Sequence, residues 1–204
     1  KYLKAEEESE KVFYNQERIS KSRAFAVDSK VIESREYADK FDLMANSPQE
    51  RREFLKAAKE LLQHRSGQNG EDLYLYNRDR QTWVKSVTGD KPGTPEYTVE
   101  IFNAIKKAKE KGEQVVAFHN HPGSMPPSAA DINAALQNGY SAGYVLCHDG
   151  TIYKYSAPKT KIIDAIYNKR VDSFKKTGYN EGDAQRKALE YLSELYDFSF
   201  REVK

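Results

Sequence analysis

The sequence predicts an α/β fold in which a mixed sheet is flanked by helices, with further helices toward both ends. Three observations carry that prediction. Short apolar runs stand between turn formers, apolar residues recur at helical spacing between those runs, and the two kinds of segment alternate. In chain order they read helix, two strands, helix, strand, helix, two strands, then helices, an order that packs helices against a mixed sheet.

Residues 1–33 are highly charged, with Glu6, Glu7, Glu8, Glu10 and Lys11 close together, and read as an extended or loosely helical lead-in. From Ser34 to Asn46 a helix is expected, with Tyr37, Phe41 and Met44 on one face. Ser47, Pro48 and Glu50 form a helix start, because serine caps, proline fits the first turn and glutamate can reach back. Phe54, Leu55, Ala58, Leu61 and Leu62 continue it toward His64, where Ser66-Gly67-Gln68-Asn69-Gly70 ends it. Leu73–Tyr76 and Thr82–Val87 read as strands joined through Asn77-Arg78-Asp79-Arg80. A helix from Thr94-Pro95-Glu96 should bury Val99, Phe102, Ile105 and Ala108 and stop at Gly112. Val115–Phe118 is a short buried strand, and a loop with three prolines covers 119–127. Ser128 opens a helix with Ile132, Ala135 and Leu136, and Gly139 closes it. Tyr144–Cys147 and Ile152–Tyr155 flank Asp149-Gly150, a hairpin signal. Helices over about 159–177 (Ile162, Ile166, Phe174) and 183–196 (Leu189, Leu192, Leu195) finish the chain. The expected organisation is a helical lead-in over 1–46, a core over 47–157 and a helical extension over 158–204.

Composition narrows the function classes. Lys and Arg total 33 against 31 Asp and Glu, so no strong field for nucleic acid is expected. No apolar run approaches the roughly 18 residues of a membrane span. Cys147 is the one cysteine, which leaves no internal disulfide and fits a reducing, cytoplasmic location. The chain opens on Lys-Tyr-Leu-Lys with neither a signal peptide nor an initiating Met, as expected of a piece of a longer protein.

The informative stretch runs from Phe118 to Asp131. His119 and His121 sit two apart at the end of an apolar strand, and in extended backbone residues i and i+2 point the same way. They therefore project together, as two ligands of one ion must. Pro122 stiffens the exit, and Asp131 lies in the first turn of the next helix, where it can face back. Two imidazoles and a carboxylate suit Zn²⁺, and three protein ligands leave a fourth position open for water. Ser128-Ala129-Ala130-Asp131 also reads as an acidic form of the capping box. Capping and ligation are compatible.

This segment, His-x-His-Pro followed by Ser-x-x-Asp, resembles the signature of the JAMM (JAB, MPN-plus) metalloprotease family. The resemblance implies a cytidine-deaminase-like fold and cleavage of peptide or isopeptide bonds with one zinc per chain. It implies His119, His121 and Asp131 as the metal ligands and Ser128 as the donor to the developing oxyanion. Six residues separate His121 from Ser128, one fewer than the usual pattern. His-Asn-His-Pro is also similar to RadC-like relatives. A wider similarity, from about Ser34 to Tyr155, is to the JAB-like domain of some phage minor head proteins. It rests on His64-Arg65-Ser66-Gly67, Glu71-Asp72-Leu73, His119 to Ser124 and Cys147 to Ile152.

In that family a glutamate upstream, at the start of a strand that follows a helix, is the general base. Glu71 holds that place, with Asp72 and the mid-helix Glu60 as alternatives. The implied reaction is hydrolysis, with zinc activating water, Glu71 carrying the proton and Ser128 holding the oxyanion. The implied partners are a protein or peptide substrate, such as a conjugated modifier or a phage structural protein. A metal-binding scaffold without peptidase activity is the second reading, and a toxin-like effector domain the third. Cys147 reads as a buried inert thiol, His148 as structural at its turn, and His64 as a cation at a helix end. The 88–95 loop is a candidate wall for a substrate groove.

Overall fold

The computed structural model describes residues 22–89 and 91–204, so residues 1–21 of the predicted lead-in lie outside the described residues. A short 3-10 turn at Arg23–Phe25 leads into helices α1 (Ser29–Ile32) and α2 (Arg35–Asp39), and a second 3-10 turn covers Lys40–Leu43. Tyr37, Phe41 and Met44 are buried on one side, as their spacing predicts. Helix α3 (Pro48–Arg65) starts at the expected cap, where the Ser47 hydroxyl accepts the Glu50 N–H at 3.1 Å. The Glu50 carboxylate reaches past Ser47 to accept the Asn46 N–H, and Arg78 Nε donates to it at 2.9 Å.

Strands β1 (Leu73–Asn77) and β2 (Thr82–Ser86) form the predicted hairpin. Helix α4 (Val99–Lys111) begins later than expected, capped by Thr98 rather than opened at Thr94. Its buried stripe is Ile101, Ile105 and Ala108, while Val99 and Phe102 are exposed. Ile105 and Ala108 belong to the expected stripe, and Ile101 rather than Val99 and Phe102 completes it. Strand β3 (Val115–His121) runs on through both histidines, where the sequence suggested a loop after Phe118. Helix α5 (Ala129–Asn138) has Ser128 and Gly139 as its caps, although Leu136 is exposed. Strands β4 (Ala142–Cys147) and β5 (Ile152–Tyr155) pair antiparallel. Helices α6 (Asp164–Lys176) and α7 (Glu181–Tyr196) follow, with Ile166 and Leu195 facing outward. A short strand β6 (Phe200–Glu202), which the sequence reading missed, pairs with β5.

The sheet order is β2-β1-β3-β4-β5-β6, with β3 and β4 parallel and the other neighbours antiparallel. This is the mixed α/β sheet flanked by helices that the sequence predicts. Alternation along the strands builds two cores. Leu73, Leu75, Val115, Ala117, Val145 and Cys147 face α4, α5, α6 and α7, and Leu189 and Leu192 of α7 belong to that cluster. Tyr74, Tyr76, Val116, Phe118, Tyr144 and Leu146 face α3 and the N-terminal helices. Phe54 centres the second core, its ring 4.8 Å from that of Phe118 and 5.2 Å from that of Tyr76. Burying one such ring contributes about 2 kcal/mol. Among the described residues no helix is long and apolar enough to cross a membrane.

Candidate metal centre

Strand alternation decides which side chains can meet. His119 and His121 share the face of Val115 and Ala117, and Glu71 shares the face of Leu73, one strand away. In the ladder, Leu73 lies opposite His119, so the segment before β1 passes beside the histidine end of β3. β4 holds the other side, with Val145 opposite His119 and Cys147 opposite His121. Helix α5 begins above this point and brings Asp131 over the sheet.

The three expected ligands converge. His119 Nε2 and His121 Nε2 are 3.1 Å apart. Asp131 Oδ1 lies 3.4 Å from His119 Nε2, and Asp131 Oδ2 lies 3.6 Å from His121 Nε2. A tetrahedral zinc with bonds near 2.0–2.1 Å sets its ligand atoms about 3.3–3.4 Å apart, so these separations fit one small ion. Glu71 forms a second possible ligand set with the same two histidines, since one of its oxygens and a nitrogen of each imidazole all lie within 4.8 Å of one another. Glu71 is 4% exposed and His119 3% exposed, which takes the centre out of bulk water.

Hydrogen bonds fix how the ligands present themselves. His121 Nδ1 sits 2.8 Å from the Met125 carbonyl, which can only accept, so Nδ1 carries a proton and Nε2 is the ring nitrogen left for an ion. The loop that supplies this carbonyl is pinned by the Ser124 N–H donating to His121 O at 3.0 Å, with Ser124 in the left-handed region at φ 53°. Ser128 N–H and Ser128 Oγ both donate to Asp131 Oδ2, at 2.6 and 2.7 Å, and Ser128 Oγ accepts the Asp131 N–H at 3.2 Å. The capping box and the ligand geometry are therefore one structure. In this arrangement the Ser128 hydroxyl orients a ligand, and its proton is engaged by the carboxylate.

The electrostatics follow from burial and these contacts. Burial raises the Glu71 carboxyl above its ordinary value, against the lowering effect of His121 and His119. For His121 burial acts downward, but the bond and charge of Asp131, with Glu71 behind them, leave its pKa at about 9. Asp131 is pushed up by burial and held well below the carboxylate range by the two imidazoles. Without a cation, then, the charged Asp131 carboxylate faces a His121 ring that favours its protonated form, and an ion binding here would displace that proton. Two converging imidazole nitrogens beside a carboxylate form a donor set that fits Zn²⁺.

The alternative bases lie elsewhere. Asp72 points to the opposite face, where Arg65 Nε donates to it at 2.6 Å and His64 Nδ1 lies 2.6 Å away. Glu60 is on the outer side of α3, paired with Lys85 at 2.7 Å. Cys147 is buried with its thiol pushed up by burial, and it stays outside the ligand group. The 88–95 loop passes beside Glu71. A Cβ at Gly89 would lie 2.5 Å from the Glu71 carbonyl oxygen, so that approach requires glycine.

Sequence reading missed a layer behind the centre. Asn120, between the two candidate ligand histidines, is fully buried on the other face. Its side chain contacts Gly70, Asp72 and His148. His148 is buried too, with Nδ1 2.7 Å from the Phe25 carbonyl and Nε2 3.1 Å from Asn120 Nδ2. One signal existed: a polar residue at an odd step between i and i+2 ligands must point into the opposite core, where it needs partners.

His148 gives a pH prediction. Both its nitrogens are matched to the neutral ring, and burial lowers its pKa below 6.5, with the Phe25 carbonyl and Asp149 opposing and His121 reinforcing. The unfolded chain therefore takes up this proton first. The contribution of His148 is complete above the unfolded value near 6.5 and is lost as pH falls from there through the lower folded value. Urea unfolding midpoints should fall between pH 7.5 and pH 5, and His148→Gln should flatten that acid limb. An equally steep limb in the variant would assign it to other groups.

No protein-family model matches this chain, and no curated protein matches it. What the fold and site define by themselves is a mixed α/β domain with a candidate metal centre at one end of its parallel strand pair.

Proposed function

We propose that this chain is a zinc-dependent hydrolase of the JAMM type, cleaving a peptide or isopeptide bond. The observation that carries the reading is the convergence of His119, His121 and Asp131 at 3.1, 3.4 and 3.6 Å with the buried Glu71 beside them. His119 Nε2, His121 Nε2 and the Asp131 carboxylate would hold the ion. Zinc in such a site supplies Lewis acidity and a water that is nucleophilic near neutral pH. The chain's own groups do the rest. Glu71 is the base, because a buried carboxyl with a raised pKa takes a proton from water and returns it to the leaving amine. Ser128 orients Asp131 through its hydroxyl, and it donates to a developing oxyanion once that proton is released from the carboxylate. Gly89 packs against the Glu71 backbone, and the loop that carries it is the proposed wall for an extended substrate.

The burial of Glu71 favours hydrolysis over the scaffold reading, since a scaffold needs no base turned inward beside the ion. A protein substrate, such as a conjugated modifier or phage structural protein, and a cytoplasmic setting belong to the same proposal.

The test is direct. Protein purified without chelator should carry one zinc per chain by elemental analysis. It should cleave members of a quenched-fluorescence peptide library or a lysine-linked isopeptide set. Chelation should stop cleavage and added zinc should restore it. Cleavage that persists in the metal-stripped protein would sink the proposal.

A further inference from the structure

We infer that Asn120 is a positioning residue that sets the place of the Glu71 carboxylate by clamping the backbone on both sides of it. The inference rests on the reading of Glu71 as the base.

The Asp72 N–H donates to Asn120 Oδ1 at 2.8 Å, and Asn120 Nδ2 donates to the Gly70 carbonyl at 3.0 Å. One side chain thus takes the peptide group after Glu71 and the peptide group before it. The amide orientation is determined by these partners, because the flipped amide would set oxygen against a carbonyl and nitrogen against an N–H. Asn120 is 0% exposed, so neither partner can be replaced by solvent without opening the core.

The clamp is held from behind. Nδ2 of Asn120 also lies 3.1 Å from His148 Nε2, and His148 Nδ1 lies 2.7 Å from the Phe25 carbonyl. That carbonyl also accepts the Gly67 N–H at 2.8 Å, which closes the network onto the turn before Glu71. The Asp72 side chain is fixed separately by Arg65 Nε at 2.6 Å and His64 Nδ1 at 2.6 Å. Residues 70 and 72 are therefore fastened while residue 71 points the other way, into the metal centre.

The arrangement joins base and ligands through one strand. His119 and His121 lie on one face of β3, and the residue between them holds the base's segment from the other face. Any shift of β3 moves ligands and base together. A histidine pair spaced by a small apolar residue would position the ion and leave Glu71 on a loop beside the glycine turn.

The experiment uses Co²⁺ in place of zinc and reads the visible spectrum of the bound ion, which reports its coordination surroundings without a substrate. Glu71→Gln should change the spectrum, and Asn120→Ala and Asn120→Ser should move it in the same direction. Both Asn120 variants should keep Co²⁺ affinity within about tenfold of wild type, the lower limit of losses when outer hydrogen bonds of a metal site are cut. The ladders from β1 and β4 still hold both histidines in them. A Glu71→Gln spectrum identical to wild type overturns the reading of Glu71, and the positioning role falls with it. A changed Glu71→Gln spectrum with wild-type spectra for both Asn120 variants overturns the clamp alone. Amide exchange in the unmodified protein gives a check that requires no variant. The Asp72 N–H should exchange as slowly as the amides of β3, and exchange at the rate of exposed loop amides would overturn the clamp.

Discussion

Glu71→Gln is expected to retain zinc and to lose hydrolysis by roughly 10²–10⁴-fold, the span ordinarily attributed to a positioned acid–base group. The change is nearly isosteric, so the buried site should keep its shape, and the loss falls on proton transfer alone. The substitution also separates two roles that the distances permit. Glu71 lies close enough to the imidazole nitrogens to be counted with the ligands, and a carboxylate that bound the ion directly would close the site. As a fourth ligand, its replacement by a neutral amide would weaken zinc retention. As a base, its replacement would leave the metal in place. Metal content and turnover measured on the same preparation decide between them. Zinc lost together with activity points to a closed, structural centre, and zinc kept with full activity removes Glu71 from the mechanism.

Most of the fold was legible because helix and strand periods in this chain are strong and the caps are explicit. Ser47-Pro48, Ser128 and Gly139 each stand where the structure ends or begins a helix. Two of the features that were not legible show why. α4 starts at Thr98 although Thr94-Pro95-Glu96 carries the better local start signal. The chain between them is committed elsewhere, with the Gly89 backbone pressed against Glu71 and Thr88 Oγ1 donating to Glu96 at 2.6 Å. β6 is three residues long and exists by pairing with β5, so no local pattern announces it.

The centre was legible in its parts and not in its connections. The i, i+2 spacing of the histidines and the position of Asp131 in a first turn are sequence facts with direct geometric consequences. The sequence left the carboxylate near the start of β1 open between Glu71 and Asp72, and the structure turns Glu71 toward the histidines and Asp72 toward Arg65 and His64. The hydrogen-bond layer behind the site was not visible, because its members come from residues far apart in the chain. Phe25, Gly70, Asn120 and His148 meet only once the sheet is assembled. The Ser128 contact shows the same limit. A capping serine and an oxyanion donor look alike in sequence, and here the hydroxyl donates to the Asp131 carboxylate.

That double use makes Asp131 the most informative of the proposed ligands to remove. Asp131→Ala should empty the centre and also loosen the start of α5, because the carboxylate accepts the Ser128 N–H as well as facing both imidazoles. Loss of a helix cap costs about 1 kcal/mol. Loss of one ligand of several, in sites worth about 10–16 kcal/mol in total, costs on the order of 3 kcal/mol, or about a hundredfold in affinity. Asp131→Asn separates the two effects. Its side-chain oxygen can still accept the Ser128 N–H, so the helix start should survive, while the negative charge that neutralises the cation is gone. Metal-free Asp131→Asn should therefore unfold closer to the metal-free parent than Asp131→Ala does, while both bind zinc at least a hundredfold more weakly. Zinc titrated by a competing chelator and thermal midpoints recorded in excess chelator supply the two readouts. Parental zinc affinity in Asp131→Asn would reduce Asp131 to a capping residue and leave the ion to His119, His121 and Glu71.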